Sequence, residues 1–411
     1  MSNLVTSVGC FAMAWLALVG QVCADDFKPL VTVSGPATFA KLASLDAAGQ
    51  FSLVERKGEA SENRQLALDQ LVSWGVPSEV VDGPLVLLVD GSMIAQPQRG
   101  RTVAISNDQL QLSQSSLGPL AIPLEFVRAV LFRPPSDAAA RDRRVAELLS
   151  IDDLNTDELL VENGDRVAGS IVSLGKEHCE LKTTAGAAAK IETARIAGLR
   201  FNPTLLARPP VAERRVVVGL ADGTRVTATQ FKLQNNQLTL RPLVGGATRE
   251  AEWSTPVASL AFVQPLSGKA IYLSDLPVEG YRHVPYLTVE WPYQLDRNVL
   301  GMPLRSGNRQ YLKGVGMHSA ARLTFKLDKP YRRFEAAVGI DDSTGGRGHV
   351  VCRVFVNAEA RFTSGPIRGG QPVTSVSVDT SGGTLLSLIV DFGDGGDTLD
   401  RVNWLDARLV E

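Results

Sequence analysis

Apolar and polar residues alternate with a period of two through most of this chain, which predicts β-strands. DRVAGSIVSL, residues 165–174, sets Val167, Ile171 and Leu174 near alternate positions. TRVTATQFKLQNNQLTL, residues 224–240, sets Val226, Phe231, Leu233, Leu238 and Leu240 on one side of two strands, with QNN as the hairpin turn. A helical period stands out in PSDAAARDRRVAELLS, residues 135–150. There Ser136 or Asp137 can cap the first turn, and Val145, Leu148 and Leu149 share one stripe. Its charged face is expected to be solvated.

A longer period lies over the short one. Four segments end in the same spacing of apolar residues: Leu71, Trp74, Val76; Val127, Val130, Phe132; Ile196, Leu199, Phe201; Val257, Leu260, Phe262. A proline follows each, at Pro77, Pro134, Pro203 and Pro265, and a turn glycine precedes each, at Gly35, Gly91, Gly164 and Gly223. Each unit spans about 40 residues from glycine to last apolar position, a repeat-like interval. Each reads as four or five short strands with a helical twist before the last. Closure into a small barrel would remove exposed strand edges. NGDRVAGSI, residues 163–171, resembles the opening of Sm-like and SH3-like barrels. Sm-like barrels suggest RNA, but the units lack basic and aromatic clusters, so a spacer or assembly role is expected instead.

Composition shifts near residue 270. All six Tyr and three of the four His lie at or beyond Tyr272. Short alternating segments follow (RLTFKL, RRFEAAVGI, HVVCRVFV, VTSVSV, LLSLIVDF, VNWLDARLV), separated by Gly-rich turns. That is the pattern of an antiparallel sandwich. The expected organisation is a signal peptide at 1–24, barrel-like units at 25–80 and 81–135, and a connector helix at 136–157. Two further units at 158–205 and 206–267 precede a sandwich at 268–411.

Four stretches carry a family resemblance: WPYQLDRNVLGMPL, YLKGVGMHSAARLTFKL, YRRFEAAVGIDDSTGGRGHVVCRVFV and LIVDFGDGGDTLDRVNWLDARL. In this order, across Tyr272 to Val410, they resemble the NPCBM module, a carbohydrate-binding type related to family 51 binding modules. The resemblance implies a galactose-binding-like β-sandwich, found beside glycosidase domains and in exported bacterial proteins. This chain departs from the family pattern at Arg401, where His is common, and at Asn403, where Asp is common. The fold class is therefore all-β: tandem small β-barrel repeats followed by a galactose-binding-like antiparallel β-sandwich.

A sugar is gripped by an aromatic ring under its apolar face and by charged or amide groups on its hydroxyls. The candidates are His318, Asp341, Asp342, Arg401 and Trp404. His318, in GVGMHS, reads as a ring exposed on a glycine-lined loop or as a hydrogen-bonded structural group. Of Asp341 and Asp342, one would cap the turn and the other would be free for a ligand. Arg401 could pair with either or reach a hydroxyl. Trp404 is either a sugar platform or a core residue of the last strand.

The acidic stretch DFGDGGDTLD, residues 391–400, has no EF-hand spacing. Asp391, Asp394, Asp397 and Asp400 still offer hard oxygen ligands, so calcium is the one cofactor the sequence raises. The same residues also fit a turn whose carboxylates bond their own backbone. No nucleophile elbow, P-loop or zinc spacing occurs, so a catalytic role is not expected.

Bulk composition sets the remaining limits. The 411 residues are 44% hydrophobic and 21% charged with net charge −2, which fits a folded protein and gives no basic balance for nucleic acid. The apolar run Phe11–Val19 followed by VCA at 22–24 has the form of a secretory signal, and no later run has membrane-spanning length. Cys179 and Cys352 are set in apolar alternation and read as buried free thiols. The sequence thus predicts an exported, periplasmic or extracellular protein that binds a glycan without catalysis. The alternatives are a structural or protein-interaction envelope protein and, further off, a glycosidase-associated enzyme.

Overall fold

The alternation near the middle of the chain becomes the hairpin Arg225–Gln234 with Gln237–Pro242. Asn235 and Asn236 turn it with φ of 52° and 61°, the left-handed pair that matches strand twist. The computed structural model describes residues 27–411 apart from 47–48, 59, 80, 82, 97–102, 114, 151–154, 247 and 249–250. The proposed signal peptide lies outside the described residues.

From residue 28 to 265 the strands form one hydrogen-bonded network of antiparallel pairs. Four short 3-10 turns, Leu68–Gln70, Leu124–Phe126, Thr193–Arg195 and Val257–Ser259, each lead directly into a buried strand. Those strands are Leu71–Gly75, Val127–Leu131, Ile196–Arg200 and Leu260–Pro265. The glycines that open the four segments, Gly35, Gly91, Gly164 and Gly223, all have φ between 85° and 92°. The apolar spacing is displaced in the fourth segment. There Leu260, not Val257, begins the strand and is the counterpart of Leu71.

The four segments are not strung apart. Leu71–Gly75 pairs with Leu260–Pro265, and Val127–Leu131 pairs with Ile196–Arg200. At the first seam a Cβ on Gly75 would lie 2.0 Å from the Ala261 carbonyl oxygen, so only glycine admits that approach. A continuous apolar cluster, including Leu30, Phe51, Val86, Ile122, Leu199 and Leu240, runs under all four.

The helix Ala138–Leu149 is capped by Asp137, which accepts from the Ala140 N–H at 2.7 Å. Its charged face is not wholly solvated, contrary to expectation. Arg141 and Asp142 are buried with Val145 and Leu148. The reason is tertiary: Arg305 of the sandwich donates to Asp142 at 2.5 Å and to both Glu79 oxygens at 2.8 Å.

Residues beyond 270 form two facing sheets. One runs Gln294–Leu295, Gly314–His318, Arg401–Val410, Arg333–Ile340, Thr374–Asp379. The other runs Val278–His283, Ala321–Lys326, Leu385–Phe392, His349–Val356, Glu359–Thr363. Phe325, Phe334, Leu388 and Trp404 fill the space between. The last strand is central in its sheet. Val33 and Val72 of the first segment pack on Ala270 and Val410, and Gln264 donates to the Tyr272 hydroxyl at 2.8 Å, so the sandwich is docked on the preceding strands. Among the described residues no helix is long and apolar enough to cross a membrane. Cys179 and Cys352 are buried free thiols, and burial pushes both above the usual thiol range, so they are unreactive.

Candidate functional site

One rim of the sandwich gathers segments that are distant in sequence. Val278–His283 ends there and the chain crosses to the other sheet through 284–293. Gly314–His318 ends there too, and His318 stands opposite Arg401 in register. The acidic loop 393–400 closes the rim before Arg401–Val410 begins.

His318 is not an exposed loop ring as the sequence suggests. It ends a strand and is 3% exposed. Its imidazole lies flat against the Trp291 indole, with centroids 4.8 Å apart and planes within 5°. His283 meets it edge-on at 6.2 Å and accepts from the Trp291 N–H of the backbone at 3.3 Å. His318 Nδ1 is buried without a hydrogen-bond partner among the described residues. Burial lowers the His318 pKa to about 4, opposed by the Asp397 charge, so the ring is neutral near pH 7.

Arg401 is half-buried, and its side chain makes no hydrogen bond or ion pair among the described residues. It pairs with neither Asp341 nor Asp342; only its backbone oxygen accepts from the Asp341 N–H. The half-buried Asp397 carboxylate is likewise unpaired among the described residues.

Three sequence candidates have other work. Asp341 is 1% exposed and accepts from Ser343 N–H at 3.0 Å, Asn298 Nδ2 at 3.1 Å and Asn403 Nδ2 at 2.6 Å. Asp342 is not free for a ligand either, since its two oxygens accept from the Gly307 and Asn308 N–H groups, both at 2.9 Å. Asp342 holds the turn at Gly307–Asn308, and Asp341 ties Asn298 and Asn403 together beneath it. Trp404 is fully buried between the two sheets, so it offers no platform. Two cavities, of about 250 and 530 Å³, lie away from the rim; the larger is beside Lys269, Arg332 and Arg333.

The residues that sequence reasoning missed are Trp291 and His283. Their signal was aromatic density: Tyr281, His283, Tyr286, Trp291 and Tyr293 fall within one short stretch. Trp291 lies in no strand, so alternation could not orient it.

The four Asp of the acidic loop do not converge. Asp391 pairs with Arg353 at 3.1 Å, and Asp394 stands 3.6 Å from Arg368. Asp400 is buried and accepts from the His349 N–H at 2.8 Å. Among the described residues no three His, Cys, Asp or Glu are placed to hold a metal. A chelator is therefore expected to leave the melting temperature unchanged; a fall on chelation, reversed by calcium, would show that the loop closes on an ion.

Two neighbours on this rim titrate in opposite senses. His318 is held near 4, below its ordinary 6.5, so the unfolded chain takes up that proton first. Its contribution is complete above about pH 6.5 and is lost as pH falls towards 4. Asp400 is raised by burial to about 6 from 3.8, so it adds stability as pH falls from 6 towards 4. His318→Gln should therefore gain melting temperature relative to the parent chain as pH drops from 6.5 to 4. Asp400→Asn should lose it over the lower part of that range. Parallel curves for parent and both variants would refute the assignment.

Comparison with known proteins identifies the domain that carries this rim. The sandwich is an NPCBM/NEW2 domain, matched over residues 269–410. Over 117 residues, 28% of this chain, the protein is 31% identical to alpha-1,3-galactosidase B of Akkermansia muciniphila. Over 110 residues, 27% of the chain, it is 26% identical to a Renibacterium salmoninarum protein bearing an endo-alpha-N-acetylgalactosaminidase name. The matched parts are 15% and 7% of those two proteins. A solved CBM51 module from Clostridium perfringens GH95, in complex with methyl-galactose, is 26% identical, covering 34% of this chain and 99% of that one with a TM-score of 0.31. The two curated relatives are named as glycosidases, and the chain spans only a small part of each.

Proposed function

We propose that the chain binds a glycan through the rim of its NPCBM domain and performs no chemistry on it. The observation that carries this reading is the Trp291–His318 stack beside two charged groups with no partner among the described residues, Arg401 and Asp397. One face of the indole is occupied by a neutral imidazole, which leaves the other for the apolar face of a sugar ring. A free guanidinium and a free carboxylate can then take a pair of hydroxyls as donor and acceptor. The name of the 31% identical galactosidase supports a galactose-type terminal residue. Asp341, Asp342 and Trp404 support the site from beneath. The protein would act after export, in the periplasm or outside the cell. The four N-terminal segments, as small barrels, would present the domain or join it to envelope proteins.

The test is a glycan array followed by titration with methyl-galactoside. Trp291→Ala should weaken binding by roughly 30-fold, the scale of an aromatic hot spot of about 2 kcal/mol, in a chain that still folds. Full affinity in that variant would remove the platform. Silence across the whole array would favour the protein-interaction alternative.

A further inference from the structure

The rim continues beyond the Trp291–His318 stack. Val284, Tyr286, Leu287, Val289 and Phe392 are 52%, 58%, 81%, 59% and 45% exposed. Most exposed apolar residues need no explanation, but several together on one rim do. Two of these are rings held in a defined geometry. Tyr286 and Phe392 meet edge to face, with centroids 6.0 Å apart and planes at 80°. The Tyr286 ring rests over Gly396, where a Cβ would come within 3.4 Å of ring carbon. Gly396 has φ +73°, a left-handed conformation that favours glycine, so the backbone stays low beneath the ring. The Tyr286 hydroxyl has no hydrogen-bond partner among the described residues.

The position of this pair decides what it serves. Gly396 adjoins Asp397, whose charge acts on His318. Tyr286 lies on the crossing segment that leads into Trp291. Phe392 ends the strand Leu385–Phe392 directly before the acidic loop, so the two rings stand next to the proposed sugar position. A sugar there would extend its next residue over adjacent surface, and a ring wall with a free phenol hydroxyl suits the mixed apolar and hydroxyl faces of a second pyranose.

We infer that Tyr286 and Phe392 form a second sugar subsite, so that the rim takes a glycan of two or more residues rather than a lone monosaccharide. This rests on the glycan-binding reading above. The terminal residue would lie on Trp291, and the next against the Tyr286–Phe392 wall. Val284, Leu287 and Val289 flank the wall and would be covered as the chain lengthens.

Calorimetric titration of the full chain with methyl-galactoside, and with galactose-terminated disaccharides of α1,3 and β1,4 linkage, tests this. At least one disaccharide should bind about tenfold tighter than the monosaccharide. Tyr286→Ala should remove that gain while leaving monosaccharide affinity unchanged, and Phe392→Ala should remove part of it. Equal affinity for one and two residues would overturn the subsite with the first site intact. So would a Tyr286→Ala chain that loses affinity equally for both ligands. Binding of neither ligand by the parent chain would instead overturn the glycan site, and the subsite with it. Sedimentation velocity distinguishes a self-association surface: a parent dimer that becomes monomeric in Tyr286→Ala would also overturn the proposal.

Discussion

A Trp404→Ala chain is expected to lose about 3–5 kcal/mol of stability, the cost of removing a large buried aromatic from a packed core. The indole is fully buried between the sheets, and the residues opposite it in register, Val315 and Val338, are themselves 0% exposed. Nothing nearby is loose enough to collapse into the space. Trp404→Phe should lose less, because it keeps most of the packing and removes an indole N–H that has no hydrogen-bond partner among the described residues. Urea unfolding of the three chains measures this. The contrast with Trp291→Ala is the sharper test. One tryptophan should govern folding and the other binding. If Trp404→Ala folded normally and lost only glycan affinity, the two roles would have to be exchanged.

Asp341→Ala is expected to be comparably damaging for a different reason. The carboxylate is 1% exposed, and its removal strands the buried Asn298 and Asn403 amides, while the exposed Ser343 N–H can turn to water. Each buried donor left without a partner costs about 1–3 kcal/mol, so the two amides together should cost roughly 2 kcal/mol or more. Asn403 is itself 0% exposed and donates to the Arg305 carbonyl at 3.0 Å. The loss should therefore spread to the hairpin that carries Arg305 onto Asp142 and Glu79. Thermal unfolding together with hydrogen exchange at 304–311 would report it. An Asp341→Ala chain with full stability but no glycan binding would restore Asp341 to the ligand site.

The candidate site was only partly legible in the sequence. Chemistry-bearing types were identifiable in the C-terminal third, and Arg401 was placed as a group able to reach a ligand. What misled was the expectation that one of two neighbouring carboxylates would be left free by the turn. Asp341 and Asp342 are conspicuous because a hairpin and a turn need acceptors there. The charged helix face failed as an expectation in the same way, because Asp142 faces an arginine 163 positions away.

The sequence by itself determined the all-β class, the change of architecture near residue 270, the QNN hairpin and the NPCBM sandwich. These rest on local signals: period-two alternation, turn chemistry, composition, and a run of motifs in order. Tertiary structure alone decided which side chains are buried and which gather at the rim. Alternation places Asn403 and Trp404 on opposite faces of one strand, yet both are 0% exposed, because that strand is central and covered on both sides. Trp291 lies outside any strand and acquires its role from His318, which meets it only when the crossing segment folds over the end of the sheet. Burial and facing are properties of what packs against a residue, and those partners come from distant parts of the chain.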